Sequence, residues 1–281
     1  MAQANPTKWR LPTRSNVWRE IRASYAFVER NFFLVKRYWG WEIAFLIFNI
    51  TSSLSVMYIG KAQGTDENNL ILYLGIGTVV WAYLRAVFSN ISEMIVWERW
   101  EGTIEYTMMA PISRLTHMLG VSLFSIVYAL MRTVLLLIAL FLFFDVNLSQ
   151  ANAGGALAII LVGSLSFVGV GIMAAVLPLL FTERGEEMTF IISSLLLLVS
   201  GVYYPVSVLP SWMQAAAKIS PATYVLEGMR ATILDGTSTS HLGQYLIPMA
   251  IIGALTIPLG MLVFTSVERY AKRTGRLKRS G

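Results

Sequence analysis

A chain of 281 residues that is 56% hydrophobic and only 14% charged would coat a soluble domain in apolar surface, so composition places it in a bilayer as one helical membrane domain. The net charge of +6 gathers at the two ends, a distribution suited to anionic lipid headgroups and not to nucleic acid. Without cysteine, disulfides, thiolate metal sites and cysteine nucleophiles are excluded.

Residues 1–41 carry eight Lys or Arg and no uninterrupted apolar core of signal-peptide length, which predicts a retained basic arm. Within it Trp18, Ile21, Tyr25, Val28, Phe32, Val35 and Trp39 recur at spacings of three and four, one face of a helix. Arg19, Arg22, Glu29, Arg30, Lys36 and Arg37 occupy the remaining surface. Tryptophan and tyrosine in the stripe, and direct entry into a membrane span, favour a helix lying in the headgroup layer over a coiled-coil seam.

Because a helix needs about 20 mostly apolar residues to cross the hydrocarbon, the sequence predicts six spans, near 42–60, 70–92, 118–144, 153–181, 188–204 and 245–267. With the N-terminus inside, seventeen Lys and Arg fall in cytoplasmic segments and three (Lys61, Lys218, Arg230) outside. The positive-inside rule therefore puts both termini in the cytoplasm. The expected organisation is an arm and amphipathic helix over 1–41, a six-helix membrane domain over 42–267 with an inner loop at 93–117, and a basic tail at 268–281. In the fourth span Gly163, Ser166 and Gly169 form a small-residue strip, which predicts close helix approach within the chain in preference to a dimer contact.

Pro205, Pro210 and Pro221 punctuate 205–236, a segment too proline-rich to continue the fifth span and too apolar for a free loop. Two short helices, Ser211 to Ile219 and Ala222 to Leu234, are expected to dip into the outer leaflet and cap the bundle. The fold class is thus all-α: six transmembrane helices, an interfacial N-terminal helix and two short re-entrant helices before the last span.

Residues that carry enzymatic chemistry are scarce. His117 falls in an inner loop and His241 outside, so they cannot share a haem or metal. No G-x-S-x-G, H-E-x-x-H or Walker A pattern occurs. An intramembrane lipid enzyme would need catalytic groups converging at one depth, and none are expected to. A passive channel or scaffold has no use for an energy-coupling element.

Such an element is what the inner loop suggests. In Glu98-Arg99-Trp100-Glu101-Gly102-Thr103-Ile104-Glu105, followed by Pro111, dense charge precedes a short amphipathic segment, which predicts a two-turn surface helix with Gly102-Thr103 as its turn and cap. The run resembles the coupling region of the ABC-2 type transporter permeases, membrane subunits of bacterial ABC exporters. A second match follows in order: Ser200-Gly201, Tyr204-Pro205, Leu209-Pro210-Ser211-Trp212-Met213-Gln214, Ser220-Pro221-Ala222-Thr223-Tyr224, then Glu227 and Arg230. It is similar to that family's C-terminal signature, and with the spans and the amphipathic helix the resemblance covers almost the whole chain.

The resemblance implies a bacterial inner-membrane permease that pairs with a second copy or a related permease, above two copies of a separate ABC ATPase subunit. ATP and Mg would bind that partner, and this chain would bind no cofactor. Glu98, Arg99, Glu101, Gly102, Thr103 and Glu105 would be the coupling residues, with the N-terminal helix bracing the same contact. Tyr204, Pro205, Pro210, Trp212 and Pro221 would form a re-entrant gate.

Arg85 and Arg132 fall within spans, where a charge at the bilayer centre costs at least ~3 kcal/mol. Arg85 is expected to reach the inner surface or meet Glu93; Arg132, nearer mid-span, is expected to face the bundle interior and serve structure or the substrate route. Glu186 and Glu187 read as a membrane boundary more than as an ATPase contact. With no polar track evident and Met173, Phe181, Phe190, Tyr203 and Tyr204 available to line a path, a lipophilic or drug-like cargo is the first expectation. A surface polysaccharide or lipid-linked glycan is the second.

Overall fold

The computed structural model describes residues 14–62, 67–144, 149–181 and 183–275, and every regular element among them is helical. In chain order these are α1 (Arg14–Arg37), α2 (Trp39–Ala62), α3 (Glu67–Trp100), α4 (Ile104–Met109), α5 (Arg114–Phe143), α6 (Ala153–Ala174), α7 (Val176–Leu180), α8 (Gly185–Val199), α9 (Ser211–Ala217), α10 (Pro221–Ile233) and α11 (Gly243–Arg273). The arm before Arg14 and the last basic residues, Arg276, Lys278 and Arg279, lie outside the described residues.

Among the described residues, five helices are long and apolar enough to cross a membrane: α2, α3, α5, α6 continued by α7, and α11. The sequence placed a sixth span at 188–204, but α8 has only 15 residues, about 22 Å of helix against ~30 Å of hydrocarbon. It stops at Val199 because Gly201 turns left-handed (φ +71°). The two short helices before the last span, α9 and α10, form within a few residues of their expected limits. Pro221 opens α10 at a position where its missing N–H has no helical partner to lose.

The inner loop is shorter than 93–117. Helix α3 runs on through Glu93 to Trp100, and α5 begins at Arg114. At 34 and 30 residues, α3 and α5 are about 51 and 45 Å long, so both exceed the hydrocarbon. The surplus lies at the end that carries α4: Glu42, in the first turn of α2, meets Tyr128 of α5, fourteen residues or about 20 Å beyond the start of α5.

Helix α1 fills the space this overhang creates. Ser24 Oγ donates to the Thr116 carbonyl at 3.0 Å, and Phe32 packs edge-on against Phe124. Gly120 allows the approach, since a Cβ there would lie 2.6 Å from the Ser24 carbonyl oxygen. The apolar stripe read from the sequence is therefore divided. Val28, Phe32 and Val35 pack on the core, whereas Trp18, Ile21, Tyr25 and Trp39 stay exposed.

The small-residue strip of α6 packs inside the chain, as expected. Ser166 donates to the Met249 carbonyl of α11 at 2.6 Å, Gly169 faces Thr256, and Gly163 faces Val225 of α10. With α3 running beside them, these helices enclose the main core, which includes Phe88, Ile91, Phe167 and Phe264.

Candidate functional site

The α4 end is built on the way α3 stops. Gly102 takes φ +70°, its N–H bonds the Arg99 carbonyl (3.1 Å), and the Thr103 N–H bonds the Glu98 carbonyl (2.8 Å). This paired closure of a helix C-terminus needs a left-handed residue, which glycine supplies without a Cβ clash. Thr103 precedes α4 but does not cap it with its side chain; its hydroxyl lies 3.4 Å from the Glu98 carbonyl instead.

The six residues singled out in this loop divide into two groups. Glu98 and Arg99 are buried, 2% and 1% exposed. One Glu98 oxygen accepts from Arg30 of α1 at 2.8 Å and lies 3.2 Å from His117 Nε2 of α5, while Phe27 packs on the His117 ring. Arg99 donates to the Leu179 carbonyl at 2.6 Å, one of the carbonyls a helix leaves open in its last turn. Glu101 is half-buried and holds the α1–α2 junction, accepting from Tyr38 (3.0 Å) and lying 3.5 Å from Arg37. That carboxylate pushes the Tyr38 hydroxyl above its ordinary pKa. Thr103 and Glu105 are exposed.

Short α4 is held at its other end by cations. Arg114 donates to the carbonyls of Thr107 (3.0 Å) and Met108, and Lys272 Nζ of α11 reaches the Met108 carbonyl at 2.8 Å. Glu268 grips both, 2.9 Å from Arg114 and 2.7 Å from Lys272. On the α1 side Glu20 accepts from the Thr116 hydroxyl and, at 3.4 Å, from the Ser113 N–H; the Thr116 bond foremost holds its carboxyl below the usual range. Ile104 and Met108 of α4 are fully buried, leaving Glu105, Tyr106 (75% exposed) and Met109 (71%) facing outward. A surface helix is thus bolted to α3, α5 and α11, α1 is tied to the start of α5 beside it, and the end of α3 that leads into it is tied to α7.

The second motif also folds as a unit. Arg230 of α10 donates to the carbonyls of Gly201 (2.9 Å) and Val202 (2.7 Å) and stacks 3.6 Å over the Tyr73 ring. Ser200 and Ser220 share a buried hydrogen bond of 2.8 Å. Gln214 ties α9 back to the Leu209 carbonyl (2.8 Å), and Tyr204 bonds the Leu198 carbonyl. The Pro210 carbonyl accepts from the N–H groups of Met213 (2.9 Å) and Gln214 (3.0 Å) in the first turn of α9. Pro221 is buried, Pro205 is exposed, and Trp212 is 70% exposed.

Residues 22–234 match the family described as ABC-2 type transporter. The chain belongs to that family. The family supplies permease subunits of ABC transporters, which pair with an ABC ATPase subunit. No curated protein matches the chain. With its apolar helices, the permease is an integral membrane protein.

Sequence reasoning saw no polar track through the spans, and it did not foresee a local charged cavity. A cavity of about 560 Å³ opens between α1, α2, α3, α5 and α8, lined by Glu42, Arg85, Glu93, Arg132 and Glu186 together with aromatic side chains. Arg132 is not stranded at mid-bilayer. Its guanidinium reaches back toward the start of α2, 3.9 Å from Glu42, which also accepts from Tyr128 one turn earlier on α5. Arg85 sits over the Phe190 ring (5.2 Å) and makes no ion pair with Glu93. Glu186 lines the cavity, whereas the sequence reading weighs a membrane boundary, slightly favoured, against an ATPase contact.

Sequence reasoning missed Arg30, His117, Glu268, Lys272, Tyr106 and Met109. Arg30 and His117 are the partners of Glu98, but their separations of 68 and 19 residues leave no local pattern to find. The signal for Tyr106 and Met109 is the spacing of three within a six-residue helix that buries Ile104 and Met108.

Proposed function

We propose that this permease is the membrane half of an exporter that moves a lipophilic or drug-like substrate out of the cytoplasm or inner leaflet, driven by separate ABC ATPase subunits. Its α4 end faces the cytoplasm, as the loop charges require. Two permease copies, or one copy and a related chain, stand above two ATPase subunits in a bacterial inner membrane. Helix α8 makes the sixth crossing only together with the non-helical segment that follows it to Pro205, and α9 and α10 return through the outer leaflet, where Arg230 satisfies the carbonyls of Gly201 and Val202.

The observation that carries this reading is the exposed face of α4 on a buried ionic anchor. Glu105, Tyr106 and Met109 offer an apolar and acidic knob to an ATPase groove. Glu98, Arg99 and Glu101 do not touch the partner; they make the knob rigid, so that displacement of α4 moves the spans. The exposure of Trp18, Ile21, Tyr25 and Trp39 supports a position for α1 against the headgroup layer. The aromatic walls of the α2–α3–α5–α8 cavity favour a lipophilic cargo over a glycan.

The test is co-purification of the permease with its ABC ATPase in lipid nanodiscs, followed by ATP-dependent uptake of a lipophilic dye into inverted vesicles. Association lost on Tyr106→Ala and Met109→Ala, with the permease still folded, supports the reading. A folded permease that binds no ABC ATPase overturns it.

A further inference from the structure

The cavity has unmatched charge. Its charged lining comprises three carboxylates, Glu42, Glu93 and Glu186, and two guanidiniums, Arg85 and Arg132. Glu42 and Arg132 face one another. Neither Glu93 nor Glu186 has an ion pair or hydrogen bond to any described residue, and each lies within electrostatic reach of the other. Arg85 is occupied by the Phe190 ring. One negative charge is therefore in excess, in a setting where an unpaired charge is costly.

Two further observations point to a ligand. Asn90 lines the same cavity, is 7% exposed, and its amide nitrogen, a donor, has no hydrogen-bond partner among the described residues, so it calls for an acceptor atom on the body of the ligand and not for its charge. Trp41, Trp97, Trp100 and Tyr128 also line it, and aromatic faces attract cations through their quadrupoles. The volume lies within the range of small-molecule sites. Trp39 and Trp41, exposed in the first turn of α2, mark the depth as that of a headgroup layer.

The geometry points to a site for a monocationic amphiphile, its charge held between Glu93 and Glu186 and its apolar body against the aromatic wall. Its role as a substrate site rests on the exporter reading, but occupancy is measured independently of it. Two sources carry this chemistry: a free lipophilic cation and the ammonium headgroup of an aminolipid.

The experiment is equilibrium dialysis of tetraphenylphosphonium and tetraphenylborate, equal in shape and opposite in charge, against the permease in phosphatidylglycerol nanodiscs, with protein-free discs subtracted. Saturable binding of the phosphonium alone is expected. Glu93→Gln and Glu186→Gln should each weaken it about tenfold, and Glu93→Asp should restore most of it. Retained association of the Gln variants with the ABC ATPase shows that they are folded.

Binding weakened by phosphatidylethanolamine in the discs upholds the site with a lipid ammonium as occupant. Binding unaffected by that lipid upholds it with a free cation. Equal or stronger binding of the borate, or affinity unchanged in both Gln variants, overturns the site. A folded wild-type permease that binds no ABC ATPase would overturn the exporter reading and leave this site, read by cation binding alone, standing.

Discussion

Two charged clusters sit about one helix turn apart on α3 and are treated in opposite ways. At the α4 end Glu98 is matched to Arg30 and His117, Glu268 to Arg114 and Lys272, and Glu101 to Arg37 and Tyr38. In the cavity, among the described residues, only Glu42 and Arg132 meet as an ion pair, at a loose 3.9 Å, while Glu93 and Glu186 make no ion pair or hydrogen bond there and Glu93 feels Arg132 and Arg85 only at a distance. Matched charges at good geometry fix positions. Unmatched ones stay available to something else. The first cluster thus holds a moving part together, and the second is left open for a ligand.

The comparison breaks most sharply at its two glutamates. Glu98→Leu strands Arg30 and His117 and should cost about 3 kcal/mol or more, read as a lowered thermal midpoint in nanodiscs. Glu93→Leu removes a charge without a partner and should leave that midpoint unchanged or raised. Equal destabilisation by both would erase the distinction. Next in size is Gly102→Val, which forces a β-branched residue to φ +70° and should cost roughly 1–2 kcal/mol, with ATPase coupling lost together with stability.

Tyr106→Ala and Met109→Ala act on the exposed side of α4. Each should leave the thermal midpoint alone and weaken ATPase association by more than about 1 kcal/mol, measured by titrating the ATPase against permease nanodiscs. The smallest effect concerns Glu20. Its folded pKa is depressed below 4.5 by Thr116 and Ser113, so its contribution is fully present above pH 4.5 and fades as pH falls through the lower folded value. Glu20→Gln should remove that acid limb from the stability profile and lower stability slightly at neutral pH, where the carboxylate's contribution is fully present.

Much of this architecture was legible because membrane helices advertise themselves by length and apolarity, and because proline and glycine punctuate 200–221. The extent of α3 was not. The eight residues from Glu93 to Trp100 look like loop because three of them are charged, yet the overhanging part of the bundle lets them stay helical and bury Glu98 and Arg99 against α1, α5 and α7. Arg132 misled for a related reason. Counting along its own span puts it deep, but depth depends on where α2 begins beside it, and that is set by packing 90 residues away.

The most direct measurement of the central claim is substrate-stimulated ATP hydrolysis by the reconstituted complex, wild type beside Glu98→Gln. The account predicts that Glu98→Gln, whose exposed α4 face is untouched, still associates with the ATPase but loses most of the stimulation. Stimulation equal to wild type in a stably assembled Glu98→Gln complex would contradict it, because the buried anchor would then play no part in joining ATPase to membrane.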